Sequence, residues 1–185
     1  MEVMAASAVA WSHAVLDRFL EETDIAVDLT AGNGKDTLFL AYRARYVVAM
    51  DIQEAAIEKT KGLMDERKVH NVRLIHDSHE ALESYVTVRE VDAFVMNLGY
   101  LPGGDKTITT TWASTERTLR TILASMKSGA IISLSIYPGH EAGKVESRGI
   151  DDMIRTLDQK LYRVSKILFP NQQHCPPYWV GIQRC

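Results

Sequence analysis

The sequence predicts an α/β fold: a doubly wound, mostly parallel seven-stranded sheet with an antiparallel last strand. Three observations carry this. Short apolar runs alternate with amphipathic runs along the 185 residues, the pattern of a parallel sheet covered on both faces. The last two apolar runs have no helix between them and so pair antiparallel. The glycine and polar clusters all follow strands, at the carboxyl edge where open α/β sheets take their ligands.

The elements follow in order. Residues 4–21 read as a helix, with Val9, Leu16, Phe19 and Leu20 on its buried stripe and Asp17, Arg18, Glu21 and Glu22 on its wet side. An apolar run at 25–29 is the first strand. It ends in two glycines, Gly32 and Gly34, and a helix runs from Lys35 to about Tyr42. The second strand, 46–51, ends in Asp51. A helix at 53–67 carries Ala56, Ile57, Thr60 and Leu63 at helical spacing. The third strand, 72–76, leads through Asp77 and Ser78 into a short helix at 78–84. The fourth, 91–96, ends in the run Asn97-Leu98-Gly99-Tyr100-Leu101-Pro102-Gly103-Gly104. A polar loop and a helix at 113–127 follow, and Gly129 marks that helix's stop. The fifth strand, 130–136, meets Tyr137-Pro138-Gly139-His140. A helix at 144–160 and strands at 163–169 and 178–183 complete the chain, which reads as one domain over 1–185 without repeat or linker.

Composition narrows the class. Apolar content of 46% and charged content of 24% fit a soluble globular protein. A net charge of −3 argues against a long nonspecific grip on nucleic acid, although a local basic patch stays open. Cys175 and Cys185 form no CxxC pair and no metal-ligand spacing, so a reducing cytoplasm and no metal are expected. The first residues lack a basic segment and carry Glu2, against a signal peptide. No apolar run reaches the roughly 18 residues of a membrane span.

The turn Asp28-Leu29-Thr30-Ala31-Gly32-Asn33-Gly34-Lys35-Asp36-Thr37 is the chemical centre. Glycines allow positive φ and close approach of the backbone to a ligand, and the following helix aims free N–H groups over the turn. Asp51 follows at about the ~20-residue spacing at which a carboxylate meets a ribose hydroxyl. Each feature has an ordinary alternative: a plain strand–helix turn, a solvated strand end at Asp51, a helix N-cap at Asp77 with Glu80 behind it. The third glycine of a dinucleotide fingerprint is replaced by Thr37, and no GxxxxGK[ST] pattern exists.

On these residues the chain resembles class I S-adenosylmethionine-dependent methyltransferases, which have a Rossmann-like sheet. More narrowly it is similar to a small bacterial family of rRNA-methylase type, understood as tRNA 5-aminomethyl-2-thiouridine methyltransferases. The marks are Gly32-Asn33-Gly34-Lys35-Asp36-Thr37, the run from Asn97 to Lys106, Tyr137-Pro138-Gly139-His140, and Asn171-Gln172 before Pro176-Pro177. Lys35 and His174-Cys175 depart from the pattern. The resemblance implies S-adenosylmethionine as cofactor. Asp28, Thr30, Gly32, Asn33, Gly34, Asp36 and Thr37 would border its methionine part. Asp51, Ile52 and Gln53 would meet the ribose, Asp77, Ser78 and His79 the adenine, and Asn97 the reacting end. It also implies a homodimer, and a tRNA anticodon loop as partner.

Asn97, Tyr100 and His140 are then the expected catalytic residues. Asn97 would hold the acceptor amine through its carbonyl, or simply form a turn. Tyr100 would stack on the target base, or anchor its loop. His140 would accept the amine proton, or sit satisfied in its loop. Tyr137, Lys106, Asn171 and His174 complete the substrate set, with Lys144 a second cation for phosphate. His76 reads as a strand-end residue. Competing readings are a methyltransferase for rRNA or a small molecule, a nicotinamide-dependent dehydrogenase, and a cofactor-binding module without catalysis.

Overall fold

The computed structural model describes residues 5–101, 103 and 107–185; Lys106, expected at the substrate side, lies outside them. Five strands, β1 (Ile25–Asp28), β2 (Tyr46–Asp51), β3 (Val72–His76), β4 (Ala93–Leu98) and β5 (Ile131–Ile136), pair in parallel. The sixth and seventh, β6 (Tyr162–Ile167) and β7 (Tyr178–Arg184), form the antiparallel pair expected from the missing helix. β7 lies between β5 and β6 and runs antiparallel to both, giving the order β3-β2-β1-β4-β5-β7-β6. The order reverses at β1, so the carboxyl ends of β1 and β4 open a crevice between diverging connections.

Period-two alternation sends Val27, Val48 and Phe94 into one core and Ala26, Val47 and Ala93 into another. The first is completed by Leu119, Ile122 and Leu123 of α4 (Trp112–Ser125) and by Ile150 and Met153 of α5 (Glu141–Thr156). The second is completed by Leu16 of α1 (Ala8–Phe19) and Leu40 of α2 (Lys35–Ala41). Between β2 and β3, α3 (Glu54–Glu66) buries Ala56, Thr60 and Met64.

Two boundaries differ from the sequence reading in ways that matter for the site. β4 runs on to Leu98, because Asn97 and Leu98 hold parallel register with Ser135 and Ile136. Asn97 is therefore a strand residue with a fixed direction rather than a turn residue. α5 begins at Glu141 instead of 144, because the His140 side chain caps it by accepting from the Gly143 N–H. No helix among the described residues is long and apolar enough to cross a membrane.

Candidate active site

The turn after β1 is held from beneath. Asp28 is 1% exposed, and its two carboxylate oxygens accept from the Thr30 N–H (3.1 Å) and the Thr37 hydroxyl (2.6 Å). Burial, and then the neighbouring Asp36, push its pKa up to about 7. Gly32 and Gly34 take φ of 55° and 77°, and a side chain at position 34 would press on Thr60 of α3 at about 3.0 Å. The Gly32 N–H donates to one oxygen of Asp51 and the Gln53 N–H to the other, each at 2.9 Å. Thr30 links this turn to β4 by accepting from the Asn97 N–H at 2.8 Å.

These turns floor a cavity of about 880 Å³. Thr30, Gly32, Asn33 and Asp36 line it from the turn; Asp51, Ile52 and Gln53 from the end of β2; Ser78 and His79 from beyond β3. The ends of β4 and β5 and the loops that follow them add Asn97, Tyr100, Thr109, Tyr137 and His140, and the loop before β7 adds His174. Six expected site residues among those described do not line it. Asp28 and Thr37 lie buried under the turn, and Gly34 packs on α3. Asp77 accepts from the Tyr85 hydroxyl and the Ser78 N–H, both at 2.7 Å, and these bonds hold its pKa below the usual carboxylate range. Asn171 is exposed on the loop before β7. Lys144 pairs with Glu141 on the surface of α5, and the His76 ring nitrogen Nε2 lies 3.0 Å from the Ile52 carbonyl.

Burial and hydrogen bonding constrain the two cavity histidines. His79 Nδ1 lies 2.8 Å from the Thr118 hydroxyl, which also lies 3.1 Å from the Ser114 carbonyl. Burial lowers the His79 pKa and so favours the neutral ring. For His140 the hydrogen bond has a defined direction. Its Nδ1 accepts from the Gly143 N–H at 3.1 Å, so the neutral ring carries its proton on Nε2. In this form the ring presents Nε2–H as a donor. Its ring also lies 5.7 Å from that of Tyr100.

Three buried polar atoms have no hydrogen-bond partner among the described residues: Asn97 Oδ1, Thr109 Oγ1 and His140 Nε2. All three residues line the cavity. Buried polar atoms without partners are rare in folded proteins, and in a cavity they mark where a ligand's polar groups fit. The Asn97 amide nitrogen is engaged, donating to Asp36. Thr109 escaped the sequence reading, because a lone threonine in a polar loop has no signature. Glu146 of α5 escaped it too. It is 1% exposed and accepts from the Thr110 (2.9 Å) and Thr115 (2.6 Å) hydroxyls, anchoring the loop beside Thr109; burial raises its pKa. His174 and Cys175 border the cavity with φ of 64° and 52°, conformations that side chains resist.

Comparison with known proteins sets this geometry in a family. The chain is 34% identical to a protein of Clostridium thermocellum described as a "putative rRNA-methylase", with a TM-score of 0.93 over 99% of this chain and 100% of that one. It is 32% identical to a protein of Streptococcus mutans described as "a putative methyltransferase" and solved in complex with SAH, with a TM-score of 0.91 over 98% and 100% of the two chains. Over 148 residues it is 35% identical to the chloroplastic tRNA (mnm(5)s(2)U34)-methyltransferase of Arabidopsis thaliana. That match takes in 73% of this chain, which spans only about half (54%) of the plant protein. Residues 47–183 match the family described as "Putative rRNA methylase", and the chain belongs to that family.

Proposed function

We propose that this protein is an S-adenosylmethionine-dependent RNA methyltransferase that methylates the amine of 5-aminomethyl-2-thiouridine at the tRNA wobble position. The observation that carries the reading is the Asn97 carbonyl oxygen, buried and without a partner among the described residues, beside a glycine turn and Asp51. The family match and the plant relative support the reaction class.

The residues fit the cofactor. A volume of about 880 Å³ suits a nucleoside with its amino-acid arm and leaves room for an acceptor base. Each Asp51 oxygen accepts one backbone N–H and keeps lone-pair capacity for a ribose hydroxyl. Ser78 and the His79 ring line the end of the cavity that would take an adenine. Asp77 supports that end through Tyr85 and Ser78.

When bound, S-adenosylmethionine supplies an electrophilic methyl group on a sulfonium. The protein's part is positioning and proton placement. Asn97 Oδ1 accepts an N–H of the neutral amine and so aims the nitrogen lone pair away from itself. His140 Nε2–H and Thr109 Oγ1 meet carbonyl, thiocarbonyl or hydroxyl groups of the nucleotide. Tyr100, 39% exposed at the cavity mouth, offers a face for base stacking. The wobble base sits in an exposed loop, so a compact protein reaches it without opening a duplex. On this reading the anticodon loop is the partner, and the enzyme acts as a homodimer.

The test supplies the protein with S-adenosylmethionine and three RNAs: tRNA bearing 5-aminomethyl-2-thiouridine, tRNA with unmodified uridine, and rRNA fragments. The expected product is 5-methylaminomethyl-2-thiouridine in the first alone. Methylation of all three, or of rRNA only, rejects the proposed substrate.

A further inference from the structure

His13 belongs to none of the motifs and lies outside the residues matched by the family, yet it completes a line of hydrogen bonds that ends in the cavity. Its helix is fastened to the sheet by the preceding residue. Ser12 is buried with its hydroxyl 2.7 Å from that of Ser133, which also accepts from the Trp179 indole N–H at 2.8 Å. His13 is thereby set over α2, where its ring stacks on Phe39 with centroids 3.9 Å apart and planes 5° from parallel. Its Nε2 reaches one carboxylate oxygen of Asp36, and the other oxygen accepts from the Asn97 amide nitrogen. Asp36 is 8% exposed and lines the cavity.

A carboxamide has a donor end and an acceptor end, and its neighbours decide which faces where. The Asp36 carboxylate accepts only, so it draws the Asn97 NH₂ and leaves Oδ1 toward the cavity. The other oxygen of Asp36 is held in turn by the His13 ring nitrogen. We propose that His13 is a positioning residue: through Asp36 it fixes the Asn97 carbonyl as the acceptor that receives the substrate's N–H. This rests on the function proposed above. Without His13 the carboxylate turns, Asn97 flips, and a donor faces a donor.

Two substitutions separate the hydrogen bond from the packing. His13→Gln keeps an N–H near the place of Nε2 and loses the ring stack. His13→Phe keeps the stack and loses the donor; His13→Ala loses both. Nitrogen-15 NMR of the Asn97 side-chain amide needs neither cofactor nor RNA. Its resonances should stay in place and exchange slowly in the wild type and His13→Gln, and shift and lose protection in His13→Phe and His13→Ala. With aminomethyl-bearing tRNA, kcat should fall about 10–100-fold in His13→Phe. It should recover to within about threefold in His13→Gln, while KM for S-adenosylmethionine changes less than about twofold in either. Full activity in His13→Phe with loss in His13→Gln, or unmoved Asn97 resonances in His13→Phe, would overturn the proposal and leave His13 a packing residue. A wild-type protein inactive on this tRNA refutes the substrate instead, and the NMR result still judges His13.

Discussion

The two walls of the cavity are built on opposite terms. On the wall formed by β1, β2 and β3, the protein satisfies itself: Asp28 holds Thr30 and Thr37, Asp51 holds Gly32 and Gln53, and Asp77 holds Ser78 and Tyr85. On the wall formed by the end of β4, the loop after it, the start of α5 and the loop before β7, Asn97, Thr109 and His140 keep buried polar atoms without partners among the described residues, and His174 and Cys175 sit at positive φ. A wall that meets the same cofactor in every cycle gains from being rigid before binding. A wall that must grip a reacting group gains from polar atoms that find partners only when that group arrives.

The largest expected effect tests the self-satisfied wall. Asp28 has its folded pKa raised from 3.8 to about 7, chiefly by burial. The folded state therefore holds a proton that the unfolded chain has released, and the associated stability is present below about 4 and lost as pH rises through about 7. Asp28→Asn keeps an acceptor for the Thr30 N–H and a partner for Thr37, but has no charge to bury. Urea unfolding between pH 4.5 and 8 should show wild-type stability falling relative to the variant, by up to about 4 kcal/mol at 1.36 kcal/mol per pKa unit. Parallel curves would mean that the charge is compensated and that this wall is not strained by it.

A crossed pair of substitutions tests the division itself. Asn97→Ala should lower kcat by about 100-fold or more, about 2.7 kcal/mol, while calorimetry finds cofactor affinity nearly unchanged. Asp51→Ala should do the opposite, weakening S-adenosylmethionine binding by about 1.5–3 kcal/mol through lost charge-assisted hydrogen bonds. If both variants lose affinity and rate alike, the two walls are one unit and the comparison fails.

The sequence made the first wall far more legible than the second. Gly32, Gly34 and Asp51 carry their meaning locally, because positive φ and a carboxylate at a strand end leave marks that spacing reveals. Direction does not leave such a mark. Asp28 and Asp51 end strands and Asp77 follows one, yet only Asp51 lines the cavity; which way a carboxylate turns depends on Thr37 and Tyr85, several residues downstream. His140 was visible as a residue, but its protonation pattern follows from Gly143 closing the first turn of α5. His13 and Glu146 act through partners 23 and 31 residues away, a separation no periodicity encodes. The insertion of β7 between β5 and β6 is likewise a pairing choice, and apolar alternation alone permits either order.

The smallest expected effect compares strain near the cavity with strain far from it. Lys68 and Cys175 share nearly one backbone conformation, with φ of 55° and 52°. Lys68 follows the C-cap of α3, where the Val69 N–H reaches back to the Met64 carbonyl; this is the place where helices favour glycine. Cys175 borders the cavity in the loop before β7. Lys68→Gly should raise stability by about 0.5–1 kcal/mol, since relief of left-handed strain exceeds the added freedom of the unfolded chain. Turnover should not change. Cys175→Gly relieves the same strain but loosens the loop, and on the proposed function that loop must be ordered when the acceptor binds, at a greater cost. On that reading KM for the RNA should rise about two- to fivefold, with kcat and cofactor affinity held. An unchanged KM in Cys175→Gly, measured beside Lys68→Gly, would show that the backbone at Cys175 is strained for reasons of chain routing alone, and would confine the acceptor wall to β4 and α5.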